Sequence, residues 1–241
     1  MVAPVYIAAS TGATDAGGAW TATCHAPGAA GRVIILQVLQ DGATSGAVAV
    51  TGSTNINNLA GSAGWTSIGS FAVGSATAAY QHLWIGRSTG TSAPTASGTN
   101  STSEDLYWRF YEFNNGSTGT TLATVIENGT AGATANEVGT SSTAADAGVT
   151  TLGSDRLALN FVAVNDDNAI AEFSGEAGGE WSLLGTYAES SGTDGAVGLQ
   201  VGYTGHIHWP STSSALVVYG SGGIGEAEAQ SFTVDAAATA T

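Results

Sequence analysis

The sequence predicts an all-β protein, a jelly-roll-like β-sandwich built from two related halves. Trp65-Thr66-Ser67-Ile68-Gly69 returns downstream as Trp181-Ser182-Leu183-Leu184-Gly185, and at the same offset Leu83, Ile85 and Gly86 match Leu199, Val201 and Gly202. The 35 glycines, set among abundant Ser, Thr and Ala, separate short alternating runs, as strands joined by tight turns require. No segment carries Leu, Glu, Lys, Arg and Gln at the 3.6-residue period of a long helix.

The match extends upstream, where Arg32-Val33-Ile34-Ile35-Leu36-Gln37-Val38 resembles Arg156-Leu157-Ala158-Leu159-Asn160-Phe161-Val162 with a shorter loop in the second copy. Loops tolerate a change of length and strands do not, so this is the slippage expected of a duplicated β-unit. Two copies favour a closed sandwich over a solenoid or propeller. The halves span about 13–128 and 136–235 of one domain, 1–241, since no long linker divides them. An apolar fraction of 43% excludes a disordered chain. The single cysteine, Cys24, excludes an internal disulfide framework, and a chain of this length buries enough core without one.

In chain order, strands are expected near 3–9, 19–25, 32–40, 46–51, 65–73, 77–87, 105–113, 121–127, 156–164, 169–173, 181–188, 196–204, 214–219 and 228–234, with Gly/Ser/Thr/Asn-rich turns between them. Two of these carry the strongest core signal. Leu157, Leu159 and Phe161 share one face of the strand Leu157–Val164. Leu106-Tyr107-Trp108-Arg109-Phe110-Tyr111-Glu112-Phe113 bears large rings on both faces, so it is either covered on both sides or lies at a subunit contact. The tail from Asp235 to Thr241 reads as a frayed end.

Charge narrows the function classes. There is no lysine; Arg32, Arg87, Arg109 and Arg156 face 19 acids, for a formal net charge of −15. Nucleic acid as a direct partner is excluded for want of phosphate-neutralising cations, and an anionic membrane for the same reason. A lysine-free acidic surface is also similar to that of proteins from high-salt environments, where screening removes self-repulsion. Met1–Ile7 lacks the basic and apolar regions of a signal peptide, and no window reaches the roughly 18 apolar residues of a membrane span.

Several chemistries have no sequence basis. Without lysine there is no phosphate-binding P-loop and no Schiff base, and neither a G-x-S-x-G elbow nor an H-E-x-x-H helix occurs. Cys24 and His25 are adjacent, and neighbours on a strand point to opposite faces, so they are not expected to pair as nucleophile and base. His206 and His208, in His206-Ile207-His208-Trp209, face the same way on a strand about 7 Å apart, a spacing that suits a transition metal or two edge histidines. Asp166 and Asp167, within Asn165-Asp166-Asp167-Asn168, offer oxygen ligands to calcium or form a tight turn. Glu176 and Glu180 near Trp181 read as loop carboxylates rather than a glycosidase pair. No cofactor is expected, a structural divalent cation being the open alternative. Trp65 and Trp181 recur in the repeat and read as core; Trp20, Trp84 and Trp209 are the candidates for partner contact. Asn100, Asn115 and Asn128 open N-x-[ST] sequons in segments that read as loops.

A further set of residues carries a resemblance. Trp20-Thr21-Ala22-Thr23 with Pro27-Gly28 leads into an aliphatic strand ending at Asp41-Gly42, followed by Gly64-Trp65-Thr66, Leu83-Trp84-Ile85, Glu104-Asp105 and the Trp108 strand. This resembles accessory virion structural proteins of tailed viruses, which decorate capsids, form turrets or build tails; the acidic composition is similar to that of viruses of halophilic archaea. The resemblance implies a non-enzymatic, homo-oligomeric protein on the virion exterior that works by self-association and by docking to other virion proteins, and it transfers no catalytic residue. An outward position agrees with the acid excess, because packaged DNA repels an inner-wall acid. A carbohydrate-binding or adhesive module of a tail or cell surface is the alternative. A hydrolase would need two carboxylates at a glycosidase separation or a histidine touching a nucleophile, and the sequence predicts neither.

Overall fold

The computed structural model describes residues 5–14, 17–41, 48–73, 79–101, 105–114 and 116–127, then the backbone of the strands between 135 and 235 together with the Phe161 side chain. Among these residues the chain is all-β, every strand pairing is antiparallel, and no α-helix occurs. A central sheet runs in the order β1 (Val5–Thr14), β9 (Leu106–Asn114), β3 (Val33–Asp41), β7 (Ala79–Ser88) and β5 (Ile56–Asn57), with β6 (Thr66–Val73) also paired to β7. A smaller sheet has β8 (Thr95–Asn100) between β2 (Gly18–Thr23) and β4 (Val48–Thr54). A third sheet orders β10 (Ile126–Glu127), β17 (Glu226–Asp235), β12 (Arg156–Asn165), β15 (Ala196–Tyr203) and β14 (Trp181–Ala188), with β11 (Ala135–Gly139) on β17. Finally, β13 (Glu172–Ser174) pairs with β16 (Leu216–Val218).

The middle of the central sheet is covered on both faces. On β3, Ile34, Leu36 and Val38 pack with Trp108 and Phe110 of β9 against Trp20, Ala22, Val48 and Ala96 of the small sheet. On the opposite face, Val33 and Ile35 join Tyr111, Phe113, Leu83 and Ile85 in a cluster that takes in Phe161 of β12, whose ring meets Tyr111 edge-on at 5.4 Å. This explains two sequences at once. A strand buried on one face alternates, whereas one buried on both reads as a continuous apolar run, as in Val33-Ile34-Ile35-Leu36. All of Leu106–Phe113 is buried, so of the two settings expected for that strand the structure has the first.

Pairing registers recur in both halves of the chain. Ile35 faces Ile85 across β3 and β7, and Leu159 faces Val201 across β12 and β15. Thr66 faces Ile85 across β6 and β7, and Ser182 faces Val201 across β14 and β15. Both outer pairs also slip, between Ser67 and Gly69 and between Leu183 and Thr186.

Four segments differ from expectation, the shortest being the two-residue strand Ile56–Asn57, which pairs with β7. Thr95-Ala96-Ser97-Gly98-Thr99-Asn100 is not a loop but the middle strand of the small sheet, and Asn100, at its end, is only 2% exposed, so this sequon is not presented on a loop. Ala135–Gly139 adds a strand. The strand expected over 121–127 is a 3-10 turn at Leu122–Thr124, closed where Thr124 Oγ1 donates to the Thr121 carbonyl at 2.9 Å, followed by the short β10.

Gly98 shows why β8 is made of small residues. It lies opposite Trp20 on one side and Val50 on the other, where β4 slips between Val50 and Gly52. A Cβ at this position would collide with the Ala49 carbonyl oxygen. Gly98→Ala therefore forces the strands apart, and its denaturation midpoint should fall by the equivalent of about 2 kcal/mol.

Buried polar residues of the central sheet find partners within the layers. The Tyr111 hydroxyl donates to Gln37 Oε1 at 2.6 Å, and Gln37 Nε2 donates to Gln81 Oε1 at 2.5 Å. On the other face His82 stacks on Trp84 at 5.6 Å, donates from Nε2 to Gln40 Oε1 at 3.0 Å and accepts at Nδ1 from the Ser70 hydroxyl at 2.7 Å. Neutral imidazole satisfies both contacts, and burial lowers its pKa from 6.5 to about 4. Between these values the unfolded chain binds a proton that the folded chain refuses. Stability is thus present above pH 6.5 and is lost as pH falls toward 4. Thermal melts across that window should show a fall in Tm that His82→Gln flattens.

Candidate functional site

An acid in the middle of an aromatic strand organises a polar cluster that joins three elements. Glu112 lies between Tyr111 and Phe113 on β9, opposite Ala8 of β1 and Ile34 of β3, and is 1% exposed. A buried carboxylate must be partnered. The partners come from the connection between β2 and β3. Glu112 Oε1 accepts from the Gly28 backbone N–H at 3.1 Å and lies 3.5 Å from Arg32 Nε; Oε2 accepts from His25 Nε2 at 2.8 Å.

The far side of His25 meets β1. The His25 backbone N–H donates to Ser10 Oγ at 3.0 Å, and Ser10 Oγ is 3.3 Å from His25 Nδ1. Because the carboxylate can only accept, Nε2 carries the ring proton and Nδ1 offers a lone pair to the serine hydroxyl. Cys24 Sγ lies 3.6 Å from the same Nδ1. Burial pushes its thiol up to about 12, with the Ser10 and His25 hydrogen bonds opposing and Glu112 adding, so the sulfur is neutral near pH 7.

Here the geometric reason given for Cys24 and His25 is corrected, while the thiol stays buried and neutral. β2 ends at Thr23, so the pair lies beyond the strand, and the alternation that sends neighbours to opposite faces no longer applies. A histidine touching a nucleophilic side chain is present, between Ser10 and His25. Sequence reasoning missed it because its members come from a strand, a loop and a distant strand. The readable signal was Glu112 itself, a lone acid among buried rings.

Two other features are built locally. Arg87 donates to the carbonyls of Leu59, Ser117 and Gly119 at 3.3, 2.7 and 2.6 Å, tying two loops to the end of β7. A cleft of about 250 Å³ lies among Val50, Thr51, Gly52, Ser53, Ala63, Gly64 and Trp65. The Trp65 indole N–H donates to the Thr95 carbonyl at 3.1 Å, and its ring packs on Phe110 at 5.9 Å.

Of the aromatic residues expected to meet partners, Trp20 and Trp84 are 3% and 7% exposed, their rings taken up by the chain's own layers. Trp209, His206, His208, Asp166, Asp167, Glu176, Glu180, Asn115 and Asn128 lie outside the described residues. Among the described residues no three His, Cys, Asp or Glu side chains form a cluster able to hold a metal ion. No protein-family model matches the chain, and no curated protein or solved structure matches it.

Removing the carboxylate strands its partners. Glu112→Ala leaves the Gly28 N–H and the His25 ring without their acceptor and Arg32 without its counter-charge. It should cost about 3 kcal/mol in a urea titration, with Glu112→Gln milder because one amide oxygen still accepts.

Proposed function

We propose that the protein is a structural component of a virion exterior, of the capsid-decoration, turret or tail kind, acting by self-association and docking. The observation that carries this reading is the free side of β1. Among the described strands β1 pairs only with β9, and it runs ten residues without a charge. Val5 and Ile7 are 38% and 46% exposed, the large apolar side chains most open to solvent among the described residues. A long uncharged edge with exposed aliphatics is a template for pairing with another strand, and soluble monomers ordinarily blunt such edges with charge. A second copy offering the same edge satisfies it in a symmetric contact. The acidic composition supports an outward position.

The same reading holds the protein to be a jelly-roll-like sandwich of two related halves. The matching registers of β3–β7–β6 and β12–β15–β14 support a common origin for those strands. Insertion of β9 between β1 and β3 supports a wound rather than a meandering path.

One observation favours the carbohydrate-binding alternative. The cleft beside β4 is lined mostly by polar surface, with the Thr51 and Ser53 hydroxyls next to Trp65, a setting that suits hydrogen bonding to sugar hydroxyls. A glycan array would register it, with Trp65→Ala abolishing any signal.

For the leading reading, light scattering should find the wild-type chain oligomeric. Val5→Lys with Ile7→Lys should shift it to monomer with an unchanged circular dichroism spectrum. A wild-type chain that stays monomeric as concentration rises removes the support.

A further inference from the structure

We propose that Ser10 is a nucleophilic hydroxyl, activated by His25 and oriented through Glu112, that takes acyl groups from small carboxylic esters. This goes beyond the structural role above, and its failure would leave that role untouched. Three contacts define the arrangement: Ser10 Oγ to His25 Nδ1 at 3.3 Å, His25 Nε2 to Glu112 Oε2 at 2.8 Å, and the His25 N–H to Ser10 Oγ at 3.0 Å. A nucleophile, a base and a buried group fixing the base's tautomer stand in the order that acyl transfer uses on unrelated folds.

Access and rigidity fit the role. The His25 side chain is 22% exposed while Glu112 is buried, so the base is reached from solvent and its orienting group is not. Ser10 is half-buried, on the outermost strand of the central sheet, and Ala26 and Gly28, in the same connection as His25, are exposed. Glu112 is held in turn by the Gly28 N–H and Arg32, which keeps the carboxylate aimed at the ring. Cys24 shares the same Nδ1 but is only 3% exposed, so an incoming ester reaches the half-buried hydroxyl and not the thiol.

The chemistry balances without a further reagent. As Ser10 Oγ bonds to the ester carbonyl carbon, its proton passes to His25 Nδ1. The imidazolium returns that proton to the alkoxide as the carbon–alkoxide bond breaks. Water then gives a proton to Nδ1 and attacks the acyl carbon, and Ser10 Oγ leaves carrying the proton back. The sum is ester plus water giving acid plus alcohol.

A fluorophosphonate probe tests this on the full chain, because Oγ attack on phosphorus with loss of fluoride leaves a stable bond. The expected result is a single phosphonyl group mapped to Ser10 by mass spectrometry. It should be absent from Ser10→Ala and from heat-denatured protein, form about a hundredfold more slowly in His25→Asn, and be retained in Cys24→Ala. Hydrolysis of p-nitrophenyl acetate should follow the same order. No labelling of the folded wild-type chain, labelling elsewhere, or equal labelling of Ser10→Ala overturns the proposal. If Ser10→Ala fails to fold, the mapped position on the wild-type chain decides alone.

Discussion

The middle strands of the central sheet, β3 and β9, have no face toward water, and most of what is particular to this chain follows. β3 and β9 are sandwiched between the small sheet and the β12-containing sheet, so every side chain they carry must be apolar or partnered inside the protein. Gln37 and Gln40 on β3 and Arg109, Tyr111 and Glu112 on β9 are the polar residues this rule acts on, with Gln81 and His82 of the neighbouring β7 beside them. Each buried acceptor draws a donor from another element, and that demand fastens the β2–β3 connection onto β9. Removing water from both faces therefore fixes the loops as well as the strands.

The double coverage was legible in the sequence because it changes the pattern of a strand. Val33-Ile34-Ile35-Leu36 and the ring-rich Leu106–Phe113 abandon alternation, and both lie between two layers. β8 was not legible, for the opposite reason. Thr95–Asn100 is the middle strand of its sheet, yet packing beside Trp20 and the slipped β4 demands small side chains, which in isolation look like turn residues. The 3-10 turn at Leu122–Thr124 was hidden by an apolar run that serves burial in a turn as well as in a strand.

The Ser10–His25–Glu112 cluster was beyond a linear reading. Its members come from β1, the connection after β2, and β9, and only the strand register brings them together. Adjacency rules mislead there, because His25 sits where the chain has left the sheet. The clue that survives in one dimension is energetic: a carboxylate inside an aromatic strand is intolerable without donors, so Glu112 announces a polar contact whose partners the fold must supply.

The irregularity in β1 shifts the count of residues leading to that contact. Tyr6 pairs with Phe113, Ala8 with Glu112 and Ser10 with Phe110, so Ile7 is an extra residue without a counterpart on β9. Tyr6 packs in the cluster shared with Phe161, whereas Ser10 stands on the side of His25, although two positions of equal parity on a regular strand share a side. The inserted residue is what inverts the parity. The bulge absorbs that residue: without it Tyr6 and Ala8 would follow one another, still facing Phe113 and Glu112, and the serine would keep its side, so the extra residue changes the numbering of the strand and not the layer to which each side chain belongs.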